Sequence, residues 1–133
     1  MTVDGEVIGA IEMGLCVFVG VTHSDTDALA AKLASKIAGL RCFDDADGVM
    51  NLSALDLSLP VLVVSQFTLY GDTTNGRRPS YVAAARPEQA EPLVERVVDE
   101  LRTLGAHVET GRFRTEMKVS IVNEGPTTLS IEV

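Results

Sequence analysis

The chain has few of the residues from which covalent and metal frameworks are built. Its 133 residues include two cysteines, Cys16 and Cys42. They lie far apart and outside any Cys-x-x-Cys spacing, which gives no support to a disulfide scaffold or a thiolate metal site, and Cys16 reads as a small core residue. The two histidines, His23 and His107, fall in no zinc spacing and beside no Gly-x-Ser-x-Gly elbow, so nothing points to a His-based triad. A phosphate-cradling glycine-rich loop of the usual nucleotide type is missing. No metal and no cofactor is therefore expected. Apolar runs stop well short of the roughly 18 residues that a membrane span needs. The opening Met1-Thr2-Val3-Asp4-Gly5 lacks the basic and apolar regions of a signal peptide, which assigns the chain to the cytoplasm and away from membranes.

Basic residues are also scarce, with 11 Lys and Arg against 19 Asp and Glu and a formal net charge of −8. Broad phosphate neutralisation draws on a surplus of cations, so a protein that grips duplex nucleic acid over a wide surface is disfavoured. The charge is uneven. Residues 1–66 hold three basic and nine acidic residues, while residues 67–133 hold eight and ten, so a polyanion would meet the second half. Arg77 and Arg78 there share a loop, and Arg112, Arg114 and Lys118 fall close together, although scattered arginines on solvated faces are the usual explanation of such a pattern.

What is present fits one domain over residues 1–133, with 46% hydrophobic residues for its core. Asp4-Gly5 is a two-residue hairpin signal with Val7, Ile8 and Ile11 after it; only Met1 to Val3 could pair back, so the first strand reads as cut short. Leu15 to Val21 is a continuous strand-length run expected to be buried on both faces. Ser24 or Asp25 can cap a helix with Leu29, Leu33, Ile37 and Leu40 on one stripe and Gly39 near its end. Asp44-Asp45-Ala46-Asp47-Gly48 has acidic spacing but lacks the later glutamate of a calcium loop, and reads as a hairpin turn. Val61 to Val64 is a central strand flowing into Ser65. A second helix starts at Pro87 with Ala90, Leu93, Val94, Val97, Val98, Leu101 and Leu104 inward, and stops at Gly105. Val108 opens a short strand. Met117, Val119 and Ile121, then Leu129, Ile131 and Val133, alternate with polar residues as a final pair of strands. The order predicts an α+β domain with two helices and largely antiparallel, barrel-like sheets.

Two stretches could carry chemistry. Ser65-Gln66-Phe67-Thr68 ends the most apolar run, and its uncharged hydrogen-bonding groups suit orienting an ester or amide better than moving protons at neutral pH. Asn123-Glu124-Gly125-Pro126-Thr127-Thr128 separates the last two strand patterns. Each also has a purely structural explanation, the first as a strand end with a turn cap and the second as an ordinary turn.

Taken together, Ser65-Gln66-Phe67-Thr68-Leu69 and Asn123-x-Gly125-Pro126-x-Thr128 resemble the paired motifs of the D-aminoacyl-tRNA deacylases, the D-tyrosyl-tRNA(Tyr) deacylase family. Gly76 to Tyr81, the stretch from Gly9-x-Ile11 to Gly20-Val21, and Val119 to Asn123 extend the likeness over nearly the whole chain. The resemblance implies a homodimeric, metal-free hydrolase that cleaves the ester between a D-amino acid, or glycine, and the 3′ acceptor end of tRNA in chiral proofreading. It implies catalytic roles for Ser65, Gln66, Phe67 and Thr68, with main-chain NH groups near Phe67 and Thr68 at the oxyanion. The ribose 2′-hydroxyl of the tRNA is favoured over Thr68 as the assisting group, because no base neighbours Thr68 in sequence. It also implies a cis Gly125-Pro126 peptide that enters the partner subunit's site, supported by Asn123 and Thr128. Arg114 departs from the family, which favours glycine there. A non-catalytic tRNA- or synthetase-binding relative, and a proofreading module serving one synthetase, are the alternatives.

Overall fold

In the computed structural model, which describes residues 1–124 and 127–133, the chain forms seven strands and two α-helices. Thr2–Val3 (β1) and Glu6–Val7 (β2) pair antiparallel around Asp4 and Gly5. Both turn residues have positive φ, 49° and 80°, as the tight hairpin requires. Leu15–Val19 (β3) leads to the helix Asp27–Gly39 (α1). Its cap is Thr26, whose hydroxyl accepts from Leu29 N at 3.4 Å, and neither Ser24 nor Asp25. Asp25 serves one turn earlier, where its carboxylate takes Thr22 N at 2.9 Å.

Phe43–Asp44 (β4) and Met50–Leu52 (β5) form the expected hairpin over the acidic turn. Val61–Ser65 (β6) follows and ends in a single 3₁₀ turn, Phe67–Tyr70. Pro87–Thr103 (α2) starts on its proline and yields to Gly105 at φ 102°, before Val108–Thr110 (β7).

The central sheet has the order β3-β6-β7 and is parallel throughout, with Leu15 opposite Val61 and Val61 opposite Val108. The expected predominance of antiparallel pairing holds only for the two small hairpins. Parallel neighbours need long crossovers, and α1 and α2 lie in the two crossovers between these strands. The α+β class with two helices stands, and among the described residues no closed barrel forms.

Side-chain alternation along β6 sorts the core into two layers. Val61 and Val63 face the helices, packing with Ala34, Ile37, Leu93, Val97, Leu101 and their neighbours. Leu62 and Val64 face the other way, onto Met1, with Ile11, Cys16, Met117 and Val119 partly covering them. Leu101 and Val61 are wholly buried, and each such side chain contributes roughly 1.5–3 kcal/mol by leaving water. β3 is less covered than its composition suggests. It is an edge strand, and Phe18 on it remains 39% exposed because the layer opposite the helices is thin.

The final strand pair is the main departure from the alternation. Lys118 alone enters a bridge, exchanging backbone bonds with Thr2 at 2.8 and 2.9 Å. Residues 119–124 and 127–133 belong to no strand. A period-two pattern makes a segment ready to pair but supplies no partner, and none is found among the described residues. The Gly125-Pro126 turn lies outside the described residues.

Candidate functional site

β6 delivers Ser65 and Gln66 to the C-terminal edge of the parallel sheet, the edge at which open parallel sheets hold ligands. Gln66 N donates to Val19 O at 2.8 Å, which extends the pairing with β3 by one residue. The chain then tightens into the 3₁₀ turn, closed by Leu69 N to Gln66 O at 3.2 Å and Gly71 N to Thr68 O at 2.9 Å. Phe67 N and Thr68 N open that turn, and neither donates to another described residue. Two adjacent N–H groups are thereby left without a partner among the described residues.

Gly20 permits this arrangement. A Cβ on it would come within 3.1 Å of Leu69 Cβ and 3.2 Å of Gln66 O, so only glycine lets the 3₁₀ turn lie this close over the end of β3.

The side chains divide. Ser65 lines a cleft of about 370 Å³ together with Glu91, Glu95 and Asp99 of α2 and with Arg112 and Phe113 beyond β7. Gln66 and Thr68 instead pair with each other, the Gln66 amide Nε2 donating to Thr68 Oγ1. Phe67 is 56% exposed and meets Tyr81 edge to face, with ring centroids 5.3 Å apart. The only hydrogen-bond partner of the Thr68 hydroxyl among the described residues is therefore an amide donor, which cannot take its proton. Asp72, the nearest carboxylate in sequence, is occupied by the hydroxyl and backbone N–H of Thr74. Those bonds hold it below the usual carboxylate range.

Tyr70 turns inward beside a cavity of about 60 Å³ that Ile131, Glu132 and Val133 help to line. Burial pushes its phenol up, and the carboxylates of Asp25 and Glu132 push it further. The chain end is thereby placed close to the 3₁₀ turn. Across the second motif, Asn123 Nδ2 donates to Thr128 Oγ1 at 3.1 Å, a bond between the two residues that flank it. Gly125 and Pro126 between them, and the expected cis peptide, lie outside the described residues. Among the described residues no hydrogen bond joins Asn123 or Thr128 to Ser65–Thr68.

The histidines stand apart. His23 contacts the Val82 carbonyl, and the exposed His107 lies 3.8 Å from Glu109. Sequence reasoning did not single out Tyr81 or Gly20. The aromatic at 81 could have been noticed as the residue closing the arginine loop, but a glycine's packing role has no local signature. Arg114, the departure noted above, sits at φ 60°, in the left-handed region where glycine is unstrained.

Comparison with known proteins places this geometry. The family model described as D-Tyr-tRNA(Tyr) deacylase matches residues 1–132. A D-aminoacyl-tRNA deacylase of Symbiobacterium thermophilum is 56% identical over 132 residues, which cover 99% of this chain and 87% of the relative. One from Thermus aquaticus is also 56% identical with the same coverage, and one from Halalkalibacterium halodurans is 52% identical over 99% of this chain and 90% of its own. Among solved structures, a c-Myc DNA unwinding element binding protein superposes with a TM-score of 0.93 at 36% identity, covering 99% of this chain and 90% of that one. A probable eukaryotic D-amino acid tRNA deacylase shares the fold, with a TM-score of 0.69 at 15% identity over 84% and 80% of the two chains. With a family model matched across residues 1–132 and relatives more than half identical over nearly its full length, the chain belongs to the D-Tyr-tRNA(Tyr) deacylase family.

Proposed function

We propose that the chain, as one deacylase-like unit over residues 1–133, hydrolyses the ester of D-aminoacyl-tRNA and of mischarged glycyl-tRNA, releasing free amino acid and tRNA in the cytoplasm as a step of translational proofreading. The observation that carries this reading is whole-length identity above 50% to D-aminoacyl-tRNA deacylases, joined to an uncharged, donor-rich strand end at Ser65–Thr68. The N–H groups of Phe67 and Thr68 suit an ester oxyanion, since donors fixed by a turn need no reorganisation as charge develops. Ser65 and Gln66 orient the terminal nucleotide and its linkage.

Thr68 assists by hydrogen bonding and does not attack. Its hydroxyl accepts from an amide and has no base among its described neighbours, so the nucleophile is water aided by the ribose 2′-hydroxyl. Discrimination against L-amino acids rests on Gly125-Pro126, flanked by Asn123 and Thr128, because backbone held rigidly there rejects an L side chain by shape and admits any D-amino acid alike.

The working unit is a homodimer. Ile121, Val122 and Leu129 are 52%, 92% and 61% exposed on segments patterned as strands, and unpaired strand-like edges of this kind find partners in a second chain. Pairing of these segments across the two-fold axis also supplies the barrel-like closure.

The test is a deacylation assay with D-tyrosyl-, L-tyrosyl- and glycyl-tRNA. The D and glycyl esters are hydrolysed and the L ester is spared; equal rates on D and L sink the proposal. In the same assay a tRNA ending in 2′-deoxyadenosine is a poor substrate, while Thr68→Val retains activity.

A further inference from the structure

Where β3 gives way to α1, Thr22 and His23 reach across to residues 82–85. Thr22 Oγ1 donates to Ala83 O at 2.6 Å, and His23 Nε2 lies 2.6 Å from Val82 O. A carbonyl oxygen only accepts, so the proton sits on Nε2 and the imidazole is the donor. Gln89, in the first turns of α2, sends its amide Nε2 to His23 O at 2.9 Å and holds the histidine from behind. Below these polar bonds Ala85 N donates to Val21 O at 2.8 Å, and Thr22 forms an antiparallel bridge with Ala84.

Without such bonds residues 82 and 83 would have little to fix them. They belong to no helix or strand, and Val82 is 82% exposed. Tyr81 stands at the start of this segment. On its other side Ser80 exchanges two backbone bonds with Asp72, at 2.7 and 2.8 Å. The backbone at Tyr81 is thus pinned from both directions. Its ring lies against Phe67 and close over Gly71, where a Cβ would come within 3.0 Å of Tyr81 Cε1.

We propose that Thr22, His23 and Gln89 form a clasp, with His23 as its positioning residue, that holds Tyr81 against Phe67 and so builds the aromatic wall on which the terminal base of the tRNA rests beside Gln66–Thr68. The proposal rests on the deacylase reading above. Two exposed rings set edge to face offer an apolar surface to a planar base whatever its identity. Such a contact serves ground state and transition state alike, so its loss raises KM and leaves kcat nearly unchanged.

The experiment is steady-state deacylation of D-tyrosyl-tRNA by His23→Ala, His23→Gln, Tyr81→Ala, the His23→Ala/Tyr81→Ala double variant and Phe67→Ala, with thermal unfolding measured for each. His23→Ala raises KM about fivefold, the effect of one hydrogen bond, and changes kcat by less than about twofold. His23→Gln, whose amide places a donor near the lost Nε2, restores KM. In the Tyr81→Ala background, His23→Ala adds nothing, because it acts only through that ring. Thr22→Val, which keeps the shape of a half-buried side chain and removes one bond, raises KM in the same direction and stands in if His23→Ala fails to fold. An unchanged KM in His23→Ala, a loss confined to kcat, failure of His23→Gln to restore, or additivity with Tyr81→Ala each overturns the clasp. If Phe67→Ala is itself fully active, the aromatic wall fails and the clasp with it, while the deacylase reading, which uses the Phe67 main-chain N–H that alanine keeps, stands or falls on the D-against-L assay. If Phe67→Ala is impaired while His23→Ala is silent, only the clasp fails.

Discussion

β6 and the segment 117–133 occupy opposite conditions within one small molecule. β6 lies between two parallel partners with Val61, Val63 and Val64 at 0%, 2% and 1% exposure. The later segment leans on the same sheet through Met117 and Val119, makes one bridge at Lys118, and then leaves Val122 92% exposed. Both are apolar enough to be strands. What separates them is neighbours: β6 has α1 and α2 over one face and β3 and β7 along its edges, whereas residues 119–124 and 127–133 pair with neither of the sheet's outer edges, β3 or β7. Stability in this chain therefore concentrates between the helices and β6, and the tail adds little to it.

The sharpest way to break that comparison is to ask whether the tail works in trans. A variant disabled at Pro126 and another disabled at Gln66, each inactive alone, are mixed and allowed to exchange subunits. If the tail of one chain completes the site of the other, each mixed dimer regains one site of two. Random exchange makes about half the dimers mixed, so about a quarter of full activity returns. No recovery after proven exchange would return the tail to its own subunit's site or remove it from the site altogether.

Smaller in effect, though large for a single methyl-to-butyl difference, is the contrast in stability. Leu101 is fully buried where α2 meets α1 and the sheet, and Leu101→Ala costs about 2–5 kcal/mol. Val122→Ala, measured at protein concentrations low enough to dissociate the chains, changes unfolding by less than about 0.5 kcal/mol. Urea unfolding of both variants checks this. Comparable losses at the two positions would mean that the tail is part of the core.

The loop just before the tail stores strain that the core does not. Arg114 is exposed at φ 60°, and its turn is closed by Thr115 Oγ1 donating to Arg112 O at 2.7 Å. A non-glycine residue in the left-handed region carries a steric cost that glycine escapes, partly offset by glycine's greater freedom when unfolded. Arg114→Gly is expected to stabilise the chain by about 0.5 kcal/mol, read as a rise in urea midpoint. A fall would show that the arginine side chain makes a contribution larger than the strain.

These contrasts explain which parts of the molecule were legible in its residues. The stripe of α2 from Ala90 to Leu101, its proline start and its glycine stop are local, and so are the Asp4-Gly5 hairpin and the run Val61 to Val64; each formed where the residues indicate, except that Leu104, expected inward, falls just past the end of the helix and is 42% exposed. The cap of α1 moved to Thr26 because three consecutive candidates compete, and geometry assigned Asp25 to Thr22 N instead. Parallel pairing was not legible, since it depends on how two crossovers pack and not on any one strand. At the site, Ser65 to Thr68 could be picked out as donors at a strand mouth. That Ser65 turns toward α2 while Gln66 and Thr68 bond to each other follows from strand alternation and the 3₁₀ turn together. Tyr81 was hidden because only the fold brings it to Phe67, 14 residues earlier in the chain.

The smallest expected effect compares two motifs. Asn123 spans its own with one side-chain bond to Thr128. The turn between β4 and β5 closes on itself, with the Asp45 carboxylate accepting from Asp47 N at 2.9 Å and Val49 N at 3.1 Å, and Asp45 N donating to Val49 O at 2.8 Å. Gly48, at φ 76°, provides the left-handed residue such a turn needs. The Val49 and Asp47 N–H groups favour the ionised carboxylate and lower the Asp45 pKa from its ordinary value of 3.8. A folded pKa below the unfolded one means that the unfolded chain binds the proton more readily. The contribution is therefore present above the ordinary value and fades as pH falls from 3.8 through the lowered folded value. Asp45→Asn keeps an acceptor oxygen but has no charge to lose. The difference in Tm between the parent chain and Asp45→Asn is expected to be small and steady from neutral pH down to the carboxylate range, and to narrow only below it. Because Asp45 is only half-buried, salt and water still reach it and weaken the effect, which makes it the least of those considered. A gap that stays constant through the whole acid range would mean that the turn is held by its backbone bonds and Gly48 alone.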